Sequence, residues 1–429
     1  MTFRKAALAL ILSGALAPAF AAGNARFVNV IVSLKAPAGR AAAANRMAAA
    51  DFARHNGFQP THTYGAVFSG FSASIPEGRL NGLRHNPRVL SVSFDGEMHT
   101  FKSCHATQTC GGGGGGSTGQ TVPWGISRIG ADGNSNTGAG IDVFVIDTGI
   151  DADHPDLAAH IGDGYAVETC KGGSCAADWD DDEGHGTHVS GTIGAIDNNI
   201  DVVGVAPGVT LHAVKVLNKR GSGSTSNIIT GIDWVAQYAQ NIGKPVVANM
   251  SLGGSGSKTG TCTSSGFTGS DNFHRAICNA KNAGVVFAIA AGNSGADAAT
   301  STPAAYDDAV ITVSATSNAD DWPYWSNYGT QSASWTSHNS APVAIAAPGV
   351  DILSLLKGGG TTTMSGTSMA TPHVAGAIAL YLASHPQAED GSAFANTRQA
   401  LLQADESTAG FANTSGNPHD EDFLDASGL

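Results

Sequence analysis

The sequence predicts an α/β protein, a parallel sheet flanked by helices, preceded by a small α+β unit with a ferredoxin-like order. Three observations carry this. After Gln120, short β-branched runs alternate with helical patterns, which argues for parallel strands covered on both faces. Before Phe101, the pattern runs strand, helix, two strands, helix, strand. Between the two lies a linker, residues 102–119, with six consecutive glycines at 111–116 and no pattern of its own.

In chain order, residues 1–22 read as a secretory signal. Arg4 and Lys5 precede an apolar run over 6–16, and Ala19-Phe20-Ala21 forms an A-x-A cleavage site. The apolar run is too short to span a bilayer and no later stretch is long enough, so an exported chain without a membrane anchor is expected. The unit at 23–101 has a strand at 27–34, an alanine-rich helix at 40–55 and a strand pair over 61–75. A second helix at 77–85 and a last strand at 89–94 complete it. It carries eight Lys/Arg against four Asp/Glu, whereas residues 102–429 carry 12 against 31. Opposite signs suit a docked pair, although acidity also keeps an exported protein in solution. Only 13% of residues are charged and 56 are glycine, which fits a compact, loop-rich chain. A monomer with no nucleic-acid partner is expected.

From Gln120, strand runs at 142–146, 211–216, 246–250, 285–290 and 310–314 alternate with helical runs at 185–196, 226–241, 273–283, 371–384 and 394–403. The tail after 404 is polar and patternless. All six cysteines follow the first unit. With an export signal, disulfides are the default, and spacing favours the local pairs Cys104–Cys110, Cys170–Cys175 and Cys262–Cys278. No Cys-x-x-Cys supports zinc.

Three stretches carry chemistry. In GTSMATPHVAG, residues 366–376, Ser368 opens an apolar helix, where free backbone N–H groups and the helix dipole favour a developing negative charge. In VFVIDTG, residues 143–149, an apolar strand ends at Asp147, and a buried carboxylate there needs a partner. In HGTHVSGT, residues 185–192, His185 opens another small-residue helix. A serine is a poor nucleophile until a base takes its proton. His185 can be that base, and Asp147 can hold its tautomer and offset its charge. His188 does not make a zinc pair with His185, since metalloproteases space the two at i, i+4 with a glutamate between. A lone DTG also occurs in aspartic proteases, but those need two and a second is absent.

These three blocks, with FAIAAGNSG at 287–295, resemble the subtilisin-like serine proteases, the subtilase family, over residues of about 120 to 385. The chain order Asp, His, Ser is the one already known from subtilisin. The resemblance implies a triad of Asp147, His185 and Ser368, with Asn293 sharing the oxyanion with the Ser368 N–H. It implies a primary specificity pocket between Ser251, Leu252, Gly253 and Gly254 on one side and Ala290 to Gly292 on the other. Walls of glycine and alanine leave a slot for a large apolar or aromatic P1 residue. Leu217 with Gly221, Ser222 and Gly223 matches the edge that pairs with the substrate backbone as an added strand. The family's calcium site falls on the side chains of Gln120, Asp156 and Asn198 and the carbonyls of Ile196, Ile200 and Val202, hard oxygen donors with one carboxylate.

The resemblance further implies that residues 23–101 are an inhibitor-like propeptide, an intramolecular chaperone of the peptidase at 120–429. Self-cleavage is then expected between Phe101 and Lys102. The expected activity is secreted serine endopeptidase on protein or peptide substrates. The alternatives are a kexin-like preference for basic residues, drawn by the acidic run 178–183 before His185, and an inactive subtilase fold acting as a binding protein. An α/β-hydrolase esterase is excluded, because Ala370 breaks Gly-x-Ser-x-Gly and the chain order is wrong.

Overall fold

The strand Asp142–Asp147 is apolar on both faces, with Val143, Phe144, Val145 and Ile146 all fully buried, so it can only sit inside a sheet covered on two sides. The computed structural model describes residues 26–101, 119–173 and 175–429. The expected signal peptide, Lys102, the Cys104–Cys110 pair and nearly all of the linker lie outside the described residues.

The N-terminal unit follows its expected order: β1 Phe27–Leu34, α1 Ala42–His55, β2 His62–Tyr64, β3 Gly70–Pro76, α2 Leu80–Arg84 and β4 Val89–Phe94. Its antiparallel sheet has the order β2-β3-β1-β4 and packs its helices over Val30, Val32, Phe52, Phe71 and Ile75. One strand beyond the sequence reading follows, β5 Glu97–Thr100, which leaves that sheet altogether.

The larger unit continues with α3 Trp124–Arg128, β6 Asp142–Asp147, β7 Tyr165–Ala166, α4 His185–Gly194, β8 Thr210–Lys215, β9 Ser222–Ser224, α5 Thr225–Ile242, β10 Val246–Met250 and β11 Leu252–Ser255. A hairpin of β12 Gly260–Thr263 and β13 Gly266–Gly269 precedes α6 Asn272–Asn282, β14 Val285–Ala290 and β15 Ser301–Thr302. The remainder is β16 Ile311–Thr316, β17 Val343–Pro348, the hairpin β18 Ile352–Leu355 with β19 Thr361–Met364, α7 Thr367–Ser384 and α8 Gly391–Ala404. Seven strands form one parallel sheet in the order β17-β16-β14-β10-β6-β8-β7.

Strand periodicity divides the core. Val143 and Val145 of β6 pack with Val189 and Ile193 of α4 and Val374 and Ile378 of α7. Phe144 and Ile146 face the opposite way, onto Ile228 and Ile232 of α5 and Ile277 of α6. Ile31, Tyr64, Val67 and Phe68 of the N-terminal unit join that second cluster. The two units are tied by charge as well: Asp233 on α5 accepts the backbone N–H groups of Gly65, Ala66 and Val67 and pairs with Arg46 at 2.6 Å.

Two corrections concern extent. Helix α7 begins at Thr367, four residues before the pattern suggested. The tail is not structureless: Phe423, Leu424 and Ala426 are buried, and residues 422–424 run along β17, with Ala346 N donating to Asp422 O and Leu424 N to Ala346 O. Cys170–Cys175 and Cys262–Cys278 are disulfides as expected.

Candidate active site

Parallel sheets place strand C-termini and the following helix N-termini at one edge, and the marked residues gather there. Asp147 ends β6, fully buried. One oxygen, Oδ1, accepts from Thr148 N at 2.7 Å and lies 2.8 Å from His185 Nδ1; the other has no partner. The small residues of the two motifs account for this approach. Thr148 Oγ1 accepts from Gly186 N at 2.9 Å, and a Cβ on Gly186 would lie 2.1 Å from Gly149 O. Helix α4 can therefore begin in direct contact with the strand-end turn, which brings His185 against Asp147.

Three acids of the run, Asp180, Asp181 and Asp182, have structural partners, while Asp178 is exposed. Asp181, 2% exposed, accepts from Glu183 N, Gly184 N, Thr187 N and the Thr187 hydroxyl, and so caps α4. Asp180 accepts from Ala152 N and Ala176 N, and Asp182 pairs with the fully buried Lys215 at 2.6 Å. These backbone and lysine partners were not visible in the sequence, where five acids in six residues look like a solvated face.

Ser368 lies in the first turn of α7, fully buried. Its carbonyl would normally accept from residue 372, but Pro372 has no N–H, and Ser251 Oγ donates to it instead at 2.9 Å. The Ser368 hydroxyl donates to Ser251 O at 3.0 Å. His185 Nε2 is buried without a hydrogen-bond partner, so the serine–histidine bond is not made in this arrangement.

What occupies the cleft is the end of the N-terminal unit. Strand β5 lies antiparallel between β9 and β11, pairing Met98 with Gly223, His99 with Ser222 and Gly253, and Thr100 with Leu252. Thr100 N donates to Gly221 O at 3.0 Å, and the buried Leu217 shares a core cluster with Met98. Phe101 follows. Its N–H lies 3.1 Å from Ser368 Oγ and 3.4 Å from Ser251 O, while its carbonyl accepts from Asn293 Nδ2 at 2.5 Å. Thr367, which the sequence reading gave no role at this amide, donates its N–H (2.9 Å) and hydroxyl (2.8 Å) to Asn293 Oδ1, leaving Nδ2 to face the Phe101 carbonyl. A Cβ on Gly253 would lie 2.6 Å from two ring carbons of Phe101, so the phenyl ring rests on that glycine. Ala290 is buried at the end of β14, and Gly292 N donates to Thr367 Oγ1.

Of the six residues expected to hold calcium, Gln120, Ile196 and Val202 meet one another, Asn198 and Val202 meet Asp156, and Ile200 is tied to Asn198 through its N–H. Gln120 Nε2 reaches both Ile196 O (2.8 Å) and Val202 O (3.2 Å), so those carbonyls point to one place. Asp156, fully buried, accepts from Asn198 Nδ2 at 2.6 Å and Val202 N at 3.2 Å, and Ile200 N donates to Asn198 Oδ1. Burial pushes the Asp156 carboxyl up to about 6, and the neighbouring Asp201 charge raises it further.

Topology and chemistry together point to one class, the serine endopeptidases built on a parallel α/β sheet. The sequence profile of the subtilase family matches residues 138–420. The chain is 41% identical over 335 residues to an extracellular serine proteinase of Thermus sp. (strain Rt41A), covering 76% of this chain and 69% of that protein. It is 38% identical over 321 residues to subtilisin E of Bacillus subtilis (strain 168), covering 73% and 71%. The crystal structure of a cold adapted subtilisin-like serine proteinase superposes with a TM-score of 0.56 at 35% identity, covering 71% of this chain and 97% of that one. The chain belongs to the subtilase family and is a serine endopeptidase of the subtilisin type.

Proposed function

We propose that this subtilase is an exported, calcium-stabilised endopeptidase that cleaves itself after Phe101 and favours large apolar or aromatic P1 residues. The observation that carries the reading is Phe101 itself. Its carbonyl is held by Asn293, its N–H lies beside Ser368, and its ring is on Gly253, which is how a substrate's P1 residue would lie. In the reaction, His185 takes the Ser368 proton as Oγ attacks the carbonyl carbon, and Asp147 holds the imidazole and offsets its charge. For this the Ser368 hydroxyl turns from Ser251 O to His185 Nε2. The developing oxyanion is shared by Asn293 Nδ2 and the Ser368 N–H. The imidazolium then protonates the leaving amine, and water releases the acyl group by the same path.

Residues 23–101 act as chaperone and inhibitor, and 120–429 as the peptidase, with 102–119 as the link trimmed later. Asp180, Asp181 and Asp182 already have backbone or lysine partners, which favours the apolar preference over the kexin-like one. Export rests on the 1–22 pattern and the extracellular relative; among the described residues no helix is long and apolar enough to cross a membrane. A fluorophosphonate should label one residue, Ser368, and abolish hydrolysis. Hydrolysis that persists after complete labelling, or a label elsewhere, would refute the assignment.

The Ile196 and Val202 carbonyls and the buried Asp156 carboxylate fit Ca²⁺, which would offset the Asp156 charge and tie Gln120 to the 196–202 loop. Because that loop does not touch the Asp147–His185 pair, EDTA should lower the unfolding midpoint before it lowers activity at room temperature. A ligand bound only by the folded state contributes about 4 kcal/mol at 1,000 Kd. Identical midpoints by calorimetry in millimolar calcium and in EDTA would rule the site out.

A further inference from the structure

Asn293 can bind a carbonyl only if its short turn is held from outside, and a residue distant in sequence does the holding. We propose that Asn327 is a positioning residue for Asn293, setting the height of the oxyanion-binding amide above Ser368. The inference rests on the role of Asn293 given above. Asn327 is 1% exposed, in the segment after β16, and every polar atom of its side chain and its own N–H go to the turn that carries Asn293. Its N–H donates to Gly292 O at 2.9 Å and its Oδ1 accepts from Ser294 N at 2.9 Å, so the residues on either side of Asn293 are both fastened to it. Oδ1 also accepts from Ala296 N at 3.1 Å, and Nδ2 donates to Ala291 O at 2.9 Å.

The neighbours are built around this clamp. Gly292 has φ +110°, and a Cβ there would lie 2.4 Å from Asn327 Nδ2. Beyond Asn327 the two segments stay paired, with Gly295 N donating to Trp325 O and Ala298 N to Tyr328 O. Only an amide supplies one donor and an acceptor for two N–H groups in that volume; aspartate lacks the donor and alanine lacks all three bonds. Asn293 thus meets two fixed bodies, Thr367 at its Oδ1 and Asn327 through its flanking backbone. A displacement of the order of 1 Å at such a site costs about 100-fold in rate.

The test is a double-mutant cycle on amide substrates. Variant precursors are matured by a trace of wild-type enzyme, corrected with a Ser368→Ala control treated identically, and normalised to fluorophosphonate-titrated sites. Asn327→Ala should lower kcat about 10- to 100-fold with KM within about threefold, because the β9 and β11 edges that pair with the substrate backbone are untouched. In an Asn293→Ala background the same change should cost less than about threefold. Asn327→Asp keeps the volume and both accepted bonds but turns an oxygen toward Ala291 O, serves if the alanine variant does not fold, and should show the same kcat-selective pattern. Multiplicative losses in the double variant, or a raised KM with unchanged kcat, would overturn the positioning role and leave Asn293 standing. An Asn293→Ala enzyme with wild-type kcat would overturn both.

Discussion

Ser368→Ala is expected to lower peptide hydrolysis by about a millionfold, the size known for the corresponding loss in a subtilisin. It should also leave the precursor uncut, because one nucleophile serves both substrate and self-cleavage. Intact-mass analysis of freshly refolded protein reads both outcomes. Wild-type chain should give a fragment ending at Phe101 and a partner starting at Lys102, since Phe101 is the residue whose carbonyl Asn293 holds. The variant should keep its full mass. A purified variant that still matures, or a first wild-type product starting near Gln120, would defeat the assignment.

Gly253→Val should abolish the aromatic preference. The added Cβ would sit 2.6 Å from Cε2 and Cζ of a phenylalanine held like Phe101, and 2.9 Å from the backbone oxygen of Thr302, so neither side can yield cheaply. We expect kcat/KM to fall about 100-fold for peptides with phenylalanine at P1 and no more than about tenfold for alanine at P1. The comparison is internal to one enzyme, so a loss of folded protein cancels. Equal losses on both peptides would mean that Gly253 does not line the P1 slot.

The parts of the site that were legible in the sequence share a physical trait. Asp147, His185, Ser368 and Asn293 each stand where a strand or helix changes into a glycine-containing turn, and the residues that force the turn are adjacent in sequence. Strand β5 had no such mark. Its residues, Glu-Met-His-Thr, have no strand pattern of their own, and it is extended because β9 and β11 offer it two free edges. Thr367 adjoins Ser368 in the sequence, but its partner Asn293 lies 74 residues away. The partners of Asp180 and Asp181 stay hidden for a related reason: they are largely backbone N–H groups, which composition does not display. The polar tail hid Phe423 and Leu424 because its seven buried residues in 25, from Thr408 to Leu429, fall at no single helical or strand period.

That tail has a consequence for how the molecule behaves in company. Strand β17 is one margin of the seven-stranded sheet, and a bare margin presents unpaired N–H and C=O groups to any other extended chain. Residues 422–424 occupy part of it, with Ala346 bonded through both its N–H and its carbonyl. Glu406 and Phe423 bond each other in both directions, closing the segment over itself. The polar end of the chain thus works as a selvedge: it keeps the sheet from growing sideways into a neighbour.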